Sequence, residues 1–309
     1  MSFRTNLAMA ATALALALPV LADACACGCG VFGVGAGNLI PLSGGGDAYV
    51  ETDYMNQNRN WSGTGKAPAA NNDDKQIQTE FFTVGGQYMV NRDWGVMVEV
   101  PVWNRVFRTE NDAGTGVDRF EHAALGDIRL MGVYTGFSKD MSTGVTFGLK
   151  LPTGDWTYPG FDRDTSIGTG TTDALLGAYH LGGIGQSETW SWFVQGLAQI
   201  PLNERSGYRP GTEGDGAVGV SWGGLNKVTD KVTFTPILQL VASARARDSG
   251  GLADRPDSGY SRLLVSPGIE AAAGKWKLYG DVEFPVYQRV NGNQLTAPVL
   301  FKAVVSRSF

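Results

Sequence analysis

The sequence predicts an all-β chain that folds as a single closed antiparallel transmembrane β-barrel of about twelve strands. Three observations predict it. Stretches of about ten residues alternate apolar and polar side chains, the period of a strand with one apolar face. Their connections alternate short and long, as short periplasmic turns and longer external loops do in membrane barrels. The chain also opens on a segment built like an export signal, and no other stretch is long and apolar enough to cross a bilayer as a helix.

Composition agrees with many tight strands. The 309 residues include 43 glycines, about twice the usual share, and only 18% are charged, below the roughly 25% expected of a soluble protein. A net charge of -5 leaves no basic footprint and argues against nucleic acid as a partner.

In residues 1–24, Arg4 precedes the apolar run Leu7 to Leu18, and Ala22 and Ala24 offer an A-x-A cleavage site. This is the pattern of a signal peptide. The alternative, a retained membrane helix, meets the objection that the run is short for a span. Residues 25–46 follow as a Cys- and Gly-rich N-terminal segment, and residues 47–309 carry the barrel pattern.

The first arm, Ala48 to Trp61, sets Ala48, Val50, Thr52 and Tyr54 opposite Tyr49, Glu51 and Asp53. A polar connection reaches Lys75, and the second arm ends at Val90 before a turn at Asn91, Arg92 and Asp93. The third arm, Trp94 to Arg108, opposes Val96, Val98, Val100 and Val102 to Glu99, Pro101, Trp103 and Arg105, and Thr109 to His122 reads as a long polar loop. Arms four and five form a hairpin of two long strands, Gly126 to Asp155, about a tight turn at Ser138, Lys139 and Asp140. Its Val145, Phe147, Leu149 and Leu151 make a lipid-facing stave, with Asp127, Arg129 and Lys150 turned to the lumen.

After a second long loop, arms six and seven meet near Gly183 to Ser187, and arms eight and nine at Thr229 and Asp230. Arms ten and eleven turn at Ala273 and Gly274. Arm eleven opposes Trp276, Leu278, Gly280, Val282, Phe284 and Val286 to Lys277, Tyr279, Asp281, Glu283 and Tyr287, and a final arm runs from Thr296 to Phe309. In lipid no sheet edge is left unpaired, so the strands close on themselves. Pro101, Pro236 and Pro267 each forfeit a ladder bond and predict bulges or strand ends.

The last arm, with Phe301, Ala303, Val305 and Phe309 on one face, resembles the C-terminal signal through which the barrel-assembly machinery recognises bacterial outer-membrane barrels; Arg307 departs from it. The segments ALGDIRLMGVYTGF, GLKLPTGDW, GTGTTDALLGAY and YRPGTEGDGAVGVSW also resemble the transporter-like family of outer-membrane proteins named after the meta-pathway of phenol degradation. That resemblance covers roughly residues 81–309 and rests on Gly126 and Asp127, Pro152 to Asp155, Gly168 to Gly170, and Arg209 to Gly211. It implies a barrel with a transport-like role and no catalytic residue; with the export signal, it places the chain in outer-membrane lipid after signal-peptide cleavage.

If the apolar faces meet lipid, the lumen receives Glu51, Asp53, Glu99, Arg105, Asp127, Arg129, Lys150, Arg245, Glu270, Lys277, Asp281, Glu283 and Lys302. Mixed charge there fits a conduit, porin-like or transporter-like, that passes or binds a small solute; it equally fits a static wall of paired charges. Cys25, Cys27 and Cys29 form a second constellation. Three soft thiolates at alternate positions suit Cu or Zn, while an oxidising compartment suits a disulfide with one thiol left over, and lipidation of Cys25 is a third fate. A closed barrel with an interaction, metal-handling or redox role centred on this segment is therefore the alternative to a conduit. His122 stands near Asp118 and Glu121, but no nucleophile motif accompanies it or His180, so the sequence points away from an enzyme. GTGTT lacks the Lys and the strand-to-helix setting of a phosphate cradle.

Overall fold

A computed structural model describes residues 30–36, 44–111, 113–185, 189–225 and 231–309. Among them are fifteen strands: β1 (Gly45–Gln57), β2 (Arg59–Gly63), β3 (Gly65–Lys66), β4 (Asp74–Met89), β5 (Trp94–Glu110), β6 (Val117–Leu125), β7 (Arg129–Tyr134), β8 (Thr143–Lys150), β9 (Asp173–Gly183), β10 (Trp190–Pro201), β11 (Glu213–Trp222), β12 (Thr233–Arg245), β13 (Tyr260–Ala273), β14 (Trp276–Thr296) and β15 (Leu300–Ser308). All but β2, β3 and β6 make a ring of twelve antiparallel strands, neighbours in sequence pairing with neighbours, and β15 closes the ring on β1.

The closing seam is continuous from Asp47 opposite Ser308 to Met55 opposite Leu300. Beyond it, Gly46 and Phe309 exchange backbone hydrogen bonds of 3.3 and 2.8 Å. Gly46 needs its missing side chain here, because a Cβ would lie 2.3 Å from the Phe309 ring.

Side chains partition as a period of two requires. Val50, Phe82, Val84, Val96, Val98, Leu130, Phe147, Leu149, Leu176, Leu238, Phe284 and Phe301 are exposed, whereas Glu51, Asp53, Arg105, Asp281, Glu283 and Lys302, at the opposite parity, are buried. An apolar belt outside and polar groups inside is the reverse of a water-soluble sandwich and fits a barrel in lipid. The interior is more than polar, however. Phe32, Met55, Phe81, Val241, Leu264 and Leu300 form a buried apolar cluster, with Trp103, Phe193 and Leu197 against it.

Several sequence expectations are corrected. The span Thr109 to His122 is not a loop throughout: β6 holds residues 117–125 and pairs with the outer half of β5, from Val102 opposite Leu125 to Glu110 opposite Val117. Its alternation is dominated by charged and small residues, which hides a strand that stands outside lipid. The hairpin of arms four and five is short, six residues in β7 and eight in β8, and eight residues rather than a tight turn join them, with Met141 at φ 60°. Asn58 separates β1 from β2, and Thr296 ends β14 rather than starting the last strand.

Two of the prolines mark interruptions. At Pro101 the partner arm breaks between β6 and β7, and Gly126 N–H donates to the Pro101 carbonyl at 2.8 Å. Across from Pro267 the ladder between β13 and β14 lapses from Val265–Phe284 to Gly268–Asp281. Pro236 pairs with Ile269 in unbroken register, and the pairing of its strand with β11 ends one residue away at Ile237. The turn at Ala273 and Gly274 is as expected, with Gly274 at φ 59°. Thr229 and Asp230, and Ser187, lie outside the described residues.

Candidate lumen site

The interior is organised by a chain of polar contacts along one wall. Lys150, at the end of β8, places Nζ 3.0 Å from Asp127 Oδ2 and 2.9 Å from Asp173 Oδ2, and all three residues are buried. Asp127 Oδ2 also accepts from the Thr169 N–H at 3.0 Å and its hydroxyl at 2.9 Å, while Asp127 Oδ1 accepts from Gly154 N–H at 3.0 Å. Asp173 accepts from Thr171 Oγ1 at 2.6 Å and from Gln199 Nε2 at 2.8 Å. Removing one partner from such a set leaves a bare buried charge, so its members hold one another in place.

The glycine motifs explain why these groups can meet. A Cβ on Gly154 would lie 2.8 Å from Gly168 Cα and 2.9 Å from the Gly126 carbonyl carbon, and one on Gly168 would lie 2.5 Å from the Gly154 carbonyl. Segments 126–127, 152–155 and 168–170 therefore pack backbone on backbone inside the barrel. The loop between β8 and β9 turns inward rather than away.

A buried arginine fixes the rest of that loop. Arg105 donates Nε to Thr79 Oγ1 at 2.9 Å and Nη1 to the carbonyls of Thr165 and Ser166, the latter at 3.1 Å. Farther along, the Arg163 guanidinium lies between the rings of Trp156 and Tyr208, 4.9 and 4.7 Å from their centroids, and burial lowers its pKa. The Arg209 to Gly211 motif is tied to the neighbouring loop: Gly211 N–H donates to Asp248 Oδ1 at 2.7 Å, and Arg209 N–H to the Ser249 carbonyl at 2.8 Å. Arg245 donates to that same Asp248 carboxylate at 2.7 Å.

Residues 30–36 lie within the ring, held by side chains from several strands. Lys302 Nζ donates to the Phe32 carbonyl at 2.7 Å, Gly35 N–H to Gln195 Oε1 at 2.9 Å, and Ala36 N–H to Gln239 Oε1 at 2.8 Å. The Phe32 ring packs on Phe81 at 5.4 Å, and Phe81 meets Trp103 edge-on at 4.8 Å. Between this segment and the inward loop remains a cavity of about 190 Å³ walled by Phe81, Trp103, Glu99, Arg129, Leu197 and Tyr208. It is mixed in character, with aromatic walls and a few oriented polar groups.

The expected lumen residues divide by use. Glu99 and Arg129 face each other at 3.6 Å, with Tyr49 OH donating to Glu99 at 3.1 Å and Arg129 to Gln199 at 3.3 Å. Asp127 and Lys150 belong to the motif knot, Arg105 and Arg245 to the outer loops, and Asp281 and Glu283 to a separate acidic stretch on β14. Glu270 and Lys277 pair with each other at 3.8 Å near the short turn. Cys25, Cys27 and Cys29 lie outside the described residues.

His122 sits in β6, 2.9 Å from Asp155 rather than beside Asp118, and its ring stacks on Tyr158 at 3.7 Å. His180 Nδ1 lies 2.6 Å from Thr143 Oγ1 and packs against Trp192. Sequence reasoning missed Asp173, Asp248, Gln195, Gln239 and Phe32. Asp173 carried a signal, since it falls at the inward parity of β9, and the others hold partners more than thirty residues away.

Comparison with solved structures settles the class. An outer membrane channel from Pseudomonas putida F1 superposes with a TM-score of 0.68, at 14% identity, over 89% of this chain and 100% of that one. The fold is that of an outer-membrane barrel. The β domain of the Bordetella autotransporter BrkA has a TM-score of 0.50 at 12% identity, covering 86% of this chain and 100% of that one. No family model matches this outer-membrane barrel, and no curated protein matches it.

Proposed function

We propose that this chain resides in the bacterial outer membrane, after export and removal of residues 1–24, and passes or binds small solutes through its lumen. The observation that carries this reading is the cavity of about 190 Å³ between residues 30–36 and the inward loop, walled by aromatic rings and the Glu99–Arg129 pair. Its support is an outer-membrane barrel fold whose lumen holds residues 30–36 and the inward loop through side-chain hydrogen bonds. The charged lumen gives an entering solute orienting groups, and the apolar cluster gives it a surface to leave water for. Membership in the transporter-like family named after the meta-pathway of phenol degradation belongs to the same proposal; its glycine and aspartate motifs are the ones that build the knot around Lys150. Recognition by the barrel-assembly machinery through Phe309 is supported by a last strand that forms the closing seam.

Conductance across planar bilayers tests the reading. The refolded full-length protein should conduct weakly, and a form lacking residues 30–36 should conduct more, in both cases with a mobility difference between boiled and unboiled gels. Silence of both forms overturns passage and leaves a closed barrel. Cys25, Cys27 and Cys29 are assigned as the place where Cu or Zn would bind if the segment handles metal. Native and reducing mass spectrometry of the mature protein distinguishes metal, disulfide and lipid there.

A further inference from the structure

Four neighbouring strands set one row of inward positions side by side. Tyr49 on β1 stands opposite Gly85 on β4, Gly85 opposite Glu99 on β5, and Glu99 opposite Arg129 on β7. Gly85 leaves room for the Tyr49 ring, since a Cβ there would lie 2.2 Å from it, and Tyr49 OH crosses that gap to donate to Glu99 at 3.1 Å. Arg129 is steadied from the other side by Gln199 at 3.3 Å. Both charges are thus positioned by neutral neighbours, which leaves most of the five guanidinium N–H groups uncommitted.

The pair they make is unlike the other enclosed ion pairs. Glu99 Oε2 and Arg129 Nη1 are 3.6 Å apart, beyond hydrogen-bonding distance, and the two side chains are 20% and 24% exposed. The pairs centred on Lys150, Arg245 and Lys302 close to 2.7–3.3 Å, and no side chain in them exceeds 11% exposure. The loose pair lines the cavity of about 190 Å³, so its uncovered surface faces that space. Apolar groups bracket it along the strands: Met97 stands opposite Met131 one inward position away, and Pro101 and Trp103 follow Glu99 on β5. Residues 30–36 pass over it, with Gly33 placed so that a Cβ would lie 3.2 Å from Leu197 and 3.5 Å from Arg129 Nη1.

We infer that the cavity takes a small zwitterion with an apolar body, of the α-amino-acid kind, its carboxylate on Arg129 and its ammonium on Glu99. This subsite deepens the proposed solute-binding lumen and rests on it. A lone anion on Arg129 would sit against the Glu99 carboxylate, and a lone cation on Glu99 against the guanidinium, each leaving like charges together in an enclosed space. A solute carrying both charges satisfies both groups. Because those groups are 3.6 Å apart, its charges must stand on the same or adjacent carbons. A wholly apolar solute would strip water from the pair and give it no partner in return. Met97, Met131, Pro101, Trp103 and Leu197 then receive the apolar body, and the flexible methionines suit side chains of more than one shape.

Equilibrium dialysis of the refolded full-length protein in detergent tests it with three probes of similar shape: phenylalanine, hydrocinnamate, which lacks the ammonium, and phenethylamine, which lacks the carboxylate. Wild type should hold phenylalanine about tenfold more tightly than either analogue, the effect of one hydrogen-bonded charge. Glu99→Gln should lose that advantage and rank hydrocinnamate above phenethylamine, and Arg129→Gln should rank them the other way. A merely structural role for the pair would weaken all three probes alike. Glu270→Gln, whose pair with Lys277 lies near the short turn, should keep the wild-type ranking. Variants are scored when boiled and unboiled samples differ in mobility, and if neither lumen variant folds, the three probes on wild type decide. Equal affinity for the three probes, or the wild-type ranking in both folded lumen variants, overturns the subsite, and a protein that still conducts keeps the conduit. A protein that neither binds the probes nor conducts, with or without residues 30–36, overturns both.

Discussion

Around Lys150 every buried carboxylate meets a cation and further donors, whereas around Lys302 carboxylates outnumber cations and three oxygens go without a donor. Both places are buried, both lie on barrel strands, and both centre on one lysine. They fasten different things. The Lys150 site joins three loop motifs to two strands, and satisfied groups there favour a single geometry. The Lys302 site joins strands already fixed by their ladder and ties residues 30–36 to them.

Charge removal should weigh far more on the Lys150 site than on the Lys302 site. Lys150→Met leaves Asp127 and Asp173 buried without a cation and should destabilise the barrel by about 3–5 kcal/mol. Glu283→Gln replaces a buried carboxyl group that has an unpartnered oxygen and should leave stability within about 1 kcal/mol of wild type, or raise it. Urea titrations read by the shift between folded and unfolded gel mobility compare them directly. Equal losses in the two variants would erase the distinction.

The next effect tests the fastener through its backbone. Gly168→Ala forces a Cβ to within 2.5 Å of the Gly154 carbonyl. A few tenths of an ångström will not relieve that contact, so a loss of about 1–3 kcal/mol is expected, together with increased proteolysis of the loop between β8 and β9. An unaltered cleavage pattern would show that the three motifs do not depend on close approach.

The smallest effect belongs to a turn outside the membrane. Asp140 accepts from the Ser142 hydroxyl at 2.7 Å and from its N–H at 3.2 Å, which holds the carboxyl below its usual 3.8. A depressed folded pKa contributes stability that is present above the unfolded pKa and is lost as pH falls through the folded one. The Ser142 amide resonance should therefore titrate with a midpoint below 3.8. A midpoint at or above that value contradicts the hydrogen-bonded turn.

Strand count and side-chain faces were legible because a period of two survives along each arm and a mistake of one residue would exchange apolar and polar faces. Val96 and Val98 outside, and Arg105 inside, follow from parity alone. Strand β6 was hidden because a strand beyond the lipid has no apolar face to show, and Val117 to Leu125 alternates little in polarity. The motif knot was half visible: Gly126, Asp127, Gly154 and Gly168 stood out as unusual residues, but nothing local announces that they touch. The apolar interior was missed for a different reason. Phe81 and Trp103 sit at inward parity, and an inward aromatic in a barrel expected to hold polar solvent signals that chain, not water, fills the space beside it.

The unequal strands described above also shape the surrounding bilayer. With a rise of about 3.3 Å per residue and a tilt near 40°, the eight residues of β8 rise only about 20 Å along the membrane normal, and the 21 of β14 about 50 Å. An outer-membrane apolar band is about 25 Å tall. The barrel is therefore cut obliquely, towering above the headgroups on the β14 side and falling short of them beside β8. Hydrophobic mismatch is concentrated on that low side, where lipid must thin or the inward loop must supply the missing apolar surface. Leu149, near the top of β8, and Leu151, just past its end, stand at that shortened edge.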